Sequence, residues 1–205
     1  MSHTSAILEA VSFAVHQLLA GCGREPCMTA VLERLGTAAD VSRVYVFRNH
    51  INAVGDLLTS QEHEWVAEGI TPQIDNPALQ NFSYAANGFD HWRELLSNNV
   101  PVAGNVMEMP DQAREMLAAQ GIRSLLVIPV RVADAWWGFI GFDDCRSERT
   151  WSQEELCALQ TAASALGAAI ECRAVHSEHH RLFTAIQQLA ETVVITDTDG
   201  VIEYV

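Results

Sequence analysis

The chain of 205 residues is 49% hydrophobic and 19% charged, which is the composition of one or two folded domains and not of a disordered segment. Its formal net charge is −14 and all twelve of its strongly basic residues are arginines, which argues against a nucleic-acid-binding surface and against a lysine-rich patch for acidic membranes. No apolar run reaches the ~18 residues that cross a bilayer, and the first residues lack the features of a secretory signal.

Two helices are predicted at the N-terminal end. Residues 5–20 carry apolar side chains at helical spacing. Gly21 and Gly23 end this helix, because glycine readily adopts the conformation that comes after a C-cap. A second helix begins near Pro26, since proline fits the first turn of a helix.

A β-hairpin is predicted next. The β-branched and aromatic residues 44–47 indicate a strand, and residues 57–66 form its partner across a turn that contains Asn52 and Gly55. The apolar–polar alternation of the second strand is imperfect, because Gln61 and His63 fall on the same side as Leu57 and Trp65.

Residues 69–88 are predicted to form a loop, because glycine and proline recur along them. Loops of this length in a compact domain are often lids or binding loops. A short helix is predicted over 89–96, then an edge strand over 100–106, and then a helix that starts at Pro110 and stops at Gly121.

Two strands and a long helix complete the main domain. Residues 124–132 are almost entirely apolar, which indicates a strand covered on both faces, and residues 136–142 form its neighbour. Ser152 and Glu155 form a predicted capping box, and the helix continues to about Leu189. The order of elements predicts an α+β fold, with one antiparallel sheet and helices at both ends.

Two stretches of the chain, together with the start of the last helix, resemble the GAF family. The stretches are Gly121–Val130, which contains a Ser-apolar-Pro pattern, and Trp136–Asp143, which contains Gly-x-apolar-x-apolar; Trp151 and Ser152 stand at the start of the last helix. The likeness covers residues 5–175. It implies a sheet of about six strands, with the terminal helices on one face and a pocket formed by the loop and short helix on the other.

The end of the chain is similar to the opening of a PAS domain. Residues 193–197 and 199–202 resemble its first strand, turn and second strand. The resemblances together imply a sensory GAF domain over 1–175, and a helical linker with the truncated start of a PAS domain over 176–205. That arrangement is typical of bacterial histidine kinases and diguanylate cyclases, so we expect a sensory or relay module of a two-component or related signalling protein.

The resemblance implies a small-molecule site between the sheet and the loop segment, since pockets are commonly apolar with a few polar groups. The alternative is that the aromatic side chains only fill the core of a ligand-free dimerisation domain. The expected partner is a second copy, bound through helices 5–20 and 152–185. The sequence names no cofactor. The candidate ligand-binding residues are His63, Trp65, Phe82, Phe89, Trp92, Ile128 and Phe142.

Several particular ligands fit the sequence poorly. The Asn-Lys…Phe…Asp-Glu pattern of cyclic-nucleotide-binding relatives is not reproduced, and no Cys precedes a His as in bilin-attaching relatives. Haem remains open through His50, His63 or His91. His176 and His180 lie one helical turn apart and could chelate a metal, but the sequence favours a solvated helix face instead, since no third ligand is evident.

The cysteines bear on compartment and on catalysis. Their count is odd and no pair has CxxC spacing, so we interpret all of them as free thiols of a reducing cytoplasm: Cys22, Cys27, Cys145, Cys157 and Cys172. One catalytic GAF class, the free methionine sulfoxide reductases, needs an attacking and a resolving cysteine near the pocket. Only Cys145 falls near a strand end. We therefore expect no catalytic activity.

Overall fold

The computed structural model describes residues 3–19, 25–187, 195–196 and 202–204. Its helices are α1 (His3–Leu19), α2 (Glu25–Ala38), α3 (Asp90–Ser97), α4 (Asp111–Ala119) and α5 (Gln153–Gln187). Its strands are β1 (Arg43–Ile51), β2 (Leu57–Val66), β3 (Phe82–Ser83), β4 (Val102–Asn105), β5 (Ser124–Val132), β6 (Ala135–Asp144), β7 (Ile195–Thr196) and β8 (Ile202–Tyr204). The chain divides into two compact units, Met1–Ile170 and Glu171–Val205.

The first unit is built on one six-stranded sheet with the order β3-β2-β1-β6-β5-β4. Every neighbouring pair in it is antiparallel. The strands β1 and β6 are central, although residues 52–134 separate them along the chain. The expected α+β fold with a six-stranded antiparallel sheet is confirmed.

The two faces of the sheet carry separate hydrophobic cores, because successive side chains of a strand point to opposite faces. On one face, Val44, Leu126 and Ile140 pack with buried residues of α1, α2 and α5. On the other, Tyr45 and Phe139 pack with buried residues of α3, α4 and the segment between β2 and α3. We call these the helical face and the loop face.

The helix α5 starts at the predicted capping box. The backbone N–H of Ser152 donates to Glu155 Oε2 at 2.8 Å, and the backbone N–H of Glu155 donates to Ser152 Oγ at 3.2 Å. Gly167 does not interrupt the helix. A Cβ at that position would lie 2.0 Å from the carbonyl oxygen of Arg131, so the glycine lets α5 approach β5 closely. Among the described residues, no helix is both long and apolar enough to cross a membrane.

The segment predicted as a plain loop over 69–88 contains two short elements. A 3-10 turn spans Pro77–Leu79, where the side chain of Asn76 accepts a hydrogen bond from the backbone of Ala78 at 3.0 Å. The strand β3 pairs with β2 through only two residues. A strand this short has no periodicity of its own, so the sequence could not reveal it.

The strand β2 contains a β-bulge that reverses part of its alternation. Val46 pairs with His63 but the next residue, Phe47, pairs with Gln61, so Glu62 is the extra residue. Leu57 therefore packs on the loop face, whereas Trp65 packs on the helical face. The prediction that these two side chains share one side of the strand is wrong, because it assumed a strand without a bulge.

The second unit contains the end of α5 and a small antiparallel hairpin of β7 and β8. The hairpin agrees with the strands expected near the end of the chain. Residues 188–194 and 197–201 lie outside the described part of the chain. The PAS resemblance stays a prediction.

Candidate ligand-binding cavity

A cavity of about 60 Å³ lies on the loop face of the sheet. One water molecule needs roughly 10–15 Å³ of such volume, so the cavity exceeds the space of a single water several times over. The strands β1, β2 and β6 form its floor, and the segment 73–92 and α4 form its walls. This volume is enough for a small molecule.

Aromatic rings make up one wall of the cavity. The ring centroids of Phe82 and Phe89 are 5.3 Å apart, and those of Phe89 and Trp92 are 4.9 Å apart, both in edge-to-face arrangements. On the floor, Phe47 and Phe139 stack at 4.9 Å. Contacts of this kind fix the ring positions beyond what area burial alone would do. The wall is thus an apolar surface already arranged for a flat apolar group.

A buried polar cluster closes one end of the cavity. Arg43, on β1, has only 2% of its side chain exposed, and Asp143, on β6, has 0%. Arg43 Nη1 donates to Asp143 Oδ2 at 3.4 Å, and Tyr45 Oη donates to Asp143 Oδ1 at 2.9 Å. Gly141 makes room for this arrangement, because a Cβ there would lie 2.1 Å from the ring of Tyr45.

The same cluster holds the segment between β2 and β3. The carboxylate of Glu64 accepts hydrogen bonds from the backbone N–H groups of Gln73, at 2.8 Å for the shorter contact, and Ile74, at 3.0 Å. Arg43 Nη2 donates to the carbonyl oxygen of Thr71 at 3.2 Å. Arg43 and Glu64 also form an ion pair at 3.4 Å. Buried side chains therefore fix the part of this segment that borders the cavity.

Burial changes the acid–base behaviour of the cluster. It raises the pKa of Asp143 to about 7 against the lowering effects of Arg43 and Tyr45, and the carboxylate of Glu64 adds to the rise. Burial, and then the charge of Asp143, raise the pKa of Tyr45 well above its ordinary value. Tyr45 therefore stays a hydrogen-bond donor, while Asp143 exchanges its proton near neutral pH.

Two buried polar atoms of the cavity lining have no hydrogen-bond partner in the described part of the chain, Arg43 Nε, which forms the ion pair with Glu64, and Gln61 Oε1. Gln61 lies on β2 with 5% of its surface exposed, and it lines the cavity. Within the described part of the chain, its Oε1 accepts no hydrogen bond. A buried acceptor without a donor is costly, so native structures leave few of them.

The structure brings together three of the predicted ligand-binding residues. Phe82, Phe89 and Trp92 line the cavity. Their role in binding stays a prediction, since the structure contains no ligand.

The other four predicted residues do not line the cavity. Trp65, Ile128 and Phe142 pack in the core of the helical face. His63 pairs with Val46 on β1, whose side chain lies in that same core. The bulge in β2 places His63 and Trp65 there. Ile128 and Phe142 lie on strands that are apolar on both faces. The sequence of such a strand does not indicate which of its residues face the loop segment.

The polar residues of the site escaped prediction. Arg43 and Asp143 stand at a strand's start and near a strand's end, which are positions where charged residues are ordinary. The available signal was the polar run along β2, with Thr59, Gln61 and Glu64 inside a strand expected to be half-buried. All three line the cavity.

The histidine and metal alternatives receive no support from the described residues. His50, His63 and His91 do not line the cavity. No group of three or more His, Cys, Asp or Glu in the described part of the chain could hold a metal ion. The side chain of His180 lies outside that part.

Among the described cysteines, one differs from the expectation of free thiols. Cys145, Cys157 and Cys172 carry free thiols. Cys27 is disulfide-bonded, so the expectation of a free thiol is wrong for this residue. Compartment and spacing arguments do not take account of sulfur atoms that the fold brings together. Burial raises the pKa of the Cys145 thiol, which disfavours the thiolate that a reductase needs.

Known proteins resemble this chain in sequence and in fold. The methanogenesis regulatory histidine kinase FilI of Methanothrix harundinacea (strain 6Ac) is 40% identical over 163 residues, which cover 80% of this chain and 18% of that protein. The chain thus spans less than a fifth of the length of this curated relative.

Two solved structures share the fold. One is GAF3 from Slr1393 of Synechocystis sp. PCC6803, with a TM-score of 0.60 and 24% identity over 73% of this chain and 94% of that one. The other is the phycocyanobilin-bound GAF domain from a cyanobacterial phytochrome, with a TM-score of 0.65 and 21% identity over 88% of this chain and 98% of that one. The model of the GAF domain matches residues 24–170, and the chain therefore belongs to the GAF domain family.

Proposed function

We propose that this chain is the sensory domain of a bacterial or archaeal signal-transduction protein, and that a small molecule bound in the cavity is its signal. The observation that carries the proposal is the cavity itself, which combines an aromatic wall with a buried, unpartnered acceptor. A site of this kind, mostly apolar with a few placed polar groups, is typical of ligand pockets. The domain acts by binding and has no catalytic role of its own.

The identity of the relatives supports a signalling role. The chain is similar to a histidine kinase, and its fold is that of a GAF domain which holds phycocyanobilin in a phytochrome. We propose that the parent protein is a sensor histidine kinase and that the output domain lies outside this sequence. The small cavity and the lack of a Cys-His pair favour a ligand much smaller than a bilin.

The signal leaves through α5 in this proposal. The strand β6 carries Phe139 in the cavity floor and Phe142 in the core of the helical face. Phe142 contacts Trp151, with ring centroids 6.3 Å apart, and Trp151 Nε1 donates to the carbonyl oxygen of Leu125 at 3.1 Å. Trp151 stands just before α5, so a shift of β6 reaches the start of that helix directly.

We propose a homodimer as the output form. The terminal helices expose large apolar side chains, namely Leu8 and Phe13 on α1 and Val175 and Phe183 on α5. Sedimentation at several concentrations tests this. The wild-type chain is expected to form a dimer that Leu8→Glu with Phe13→Glu weakens, whereas Ile51→Glu, at a position of β1 that is 63% exposed, does not. A wild-type monomer at all concentrations contradicts the proposal.

Ligand-observed NMR with small ring compounds and small organic acids tests sensing at the cavity. Leu117 lines the cavity and is 6% exposed, so Leu117→Phe places a larger ring in the space that a ligand needs. Compounds that bind the wild-type chain are expected to lose binding at least tenfold in this variant. Ile51→Phe also introduces a phenyl ring in place of an aliphatic side chain, but on an exposed part of β1, and leaves binding unaltered. Binders that tolerate Leu117→Phe would place the site elsewhere.

A further inference from the structure

The chemistry of the cavity lining selects among small molecules. The apolar part of the lining includes Phe82, Phe89 and Trp92, and the polar groups lie along β2 and at the Arg43–Asp143 end. The cavity of about 60 Å³ limits the ligand to a single ring with one small substituent, and side chains of the lining must shift slightly to admit its seven non-hydrogen atoms. Larger ring systems require the segment 73–92 to move.

The charged groups that line the cavity are already paired with one another. The guanidinium of Arg43 already contacts the carboxylates of Asp143 and Glu64. An anion would meet these two carboxylates, and a cation would leave water for a wall of aromatic and aliphatic groups. Moving an unpaired charge out of water into such surroundings is strongly unfavourable. The lining therefore favours an uncharged molecule.

The unpartnered oxygen of Gln61 sets the hydrogen-bonding character of the ligand. Its Oε1 is buried and has no donor in the described part of the chain. Thr59, two residues earlier on β2, does not supply this donor, because its Oγ1 donates to the carbonyl oxygen of Arg48 at 3.2 Å. The backbone oxygen of Gln61 accepts from Gln80 Nε2 at 3.0 Å, which holds the residue in place. A ligand that carries a hydrogen-bond donor would therefore satisfy Gln61 Oε1.

We propose that the cavity binds a small uncharged ring compound with one O–H or N–H group, which donates to Gln61 Oε1. This inference rests on the proposed function and specifies its ligand. The aromatic wall contacts the ring, and Gln61 distinguishes a donor from an acceptor or an apolar substituent. A site with a buried polar group rejects analogues that leave the group unpaired.

Titration of the full chain with four probes tests the inference. Phenol carries a donor, toluene has the same shape without one, pyridine is an acceptor only, and benzoate is an anion. We expect phenol to bind about tenfold more tightly than toluene, in line with one net hydrogen bond to a buried acceptor. Pyridine and benzoate are expected to bind more weakly than toluene. This comparison needs no variant.

The variant Gln61→Met keeps the length of the side chain and removes its strong acceptor. We expect phenol to lose its preference over toluene in this variant, and toluene to bind at least as well as it does to the wild type. Gln17→Met makes the same change on α1, on the opposite side of the sheet, and keeps the tenfold preference. Melting temperatures establish that both variants are folded.

The possible outcomes separate the two proposals. If toluene, pyridine or benzoate binds as tightly as phenol, and Leu117→Phe abolishes that binding, the donor inference fails while sensing at the cavity stands. If Gln61→Met keeps the preference for phenol, the assignment to Gln61 fails. If none of the four probes binds, or if Leu117→Phe leaves their binding unchanged, both proposals fail.

Discussion

Asp143 illustrates how one buried carboxyl group makes the stability of the domain depend on pH. Burial raises its pKa to about 7, whereas an aspartate in an unfolded chain titrates near about 3.9. Between these values the folded chain holds a proton that the unfolded chain has lost. The free energy of unfolding therefore falls as pH rises through this window, by up to about 1.4 kcal/mol per pH unit from this group.

The variant Asp143→Asn removes this titration. Its free energy of unfolding, measured by denaturant titration at several pH values, is expected to fall less steeply from pH ~4 to ~7 than that of the wild type. Tyr45→Phe is expected to raise the pKa of Asp143 further, since the hydrogen bond from Tyr45 lowers it in the wild type. Without it, the fall in stability should extend to higher pH. Equal slopes in wild type and Asp143→Asn would rule out the raised pKa.

The segment between β2 and β3 is an element whose position depends on one carboxylate. Glu64→Gln removes the charge that accepts from the backbone N–H groups of Gln73 and Ile74. Hydrogen bonds to a charged group contribute about 1.5–3 kcal/mol. Hydrogen–deuterium exchange at these two amides is therefore expected to become roughly tenfold faster or more.

Glu62→Gln is the matched control, because Glu62 forms only an exposed ion pair with Arg48 at 3.3 Å. Exposed pairs contribute little, so exchange at Gln73 and Ile74 should remain as in the wild type. If Glu64→Gln also leaves these amides unchanged, the carboxylate does not hold the segment. In that case the aromatic wall alone would define the cavity.

The elements also explain how far the sequence could predict the site. Phe82, Phe89 and Trp92 line the cavity as expected, because aromatic residues in a long loop and in the short helix after it stand out locally, and their role in binding stays a prediction. Trp65 and His63 were misplaced because a single extra residue in β2 reverses the faces of everything after it. Arg43 and Asp143 are 100 residues apart and meet only through the β1–β6 pairing, which no local pattern encodes. The fold class needed only the order of elements, so it was predicted correctly.

At the scale of the whole first unit, the sheet separates the cavity from the helices that would carry a signal. Adjacent residues of β6 serve both sides, since Phe139 lines the cavity while Ile140 and Phe142 lie in the core of the helical face. A closely packed sheet transmits strain because its interior has few voids to absorb a displacement. A ligand that fills the cavity is therefore expected to displace β6 slightly and so to change the packing at the start of α5.

Hydrogen–deuterium exchange tests this coupling on the full chain. Phenol at saturation, compared with no ligand, is expected to change exchange in peptides covering residues 145–160, since the Phe142–Trp151 contact and the capping box both border the start of α5. Residues 53–56 of the β1–β2 turn are exposed and do not line the cavity, so their exchange should stay the same. Leu117→Phe should change exchange over residues 145–160 in the absence of ligand. Adding phenol to this variant should cause no further change. Phenol that binds the cavity and leaves these peptides unchanged would show that the helix does not report occupancy, because a ligand shifts an equilibrium only through a difference in its affinity for the two states.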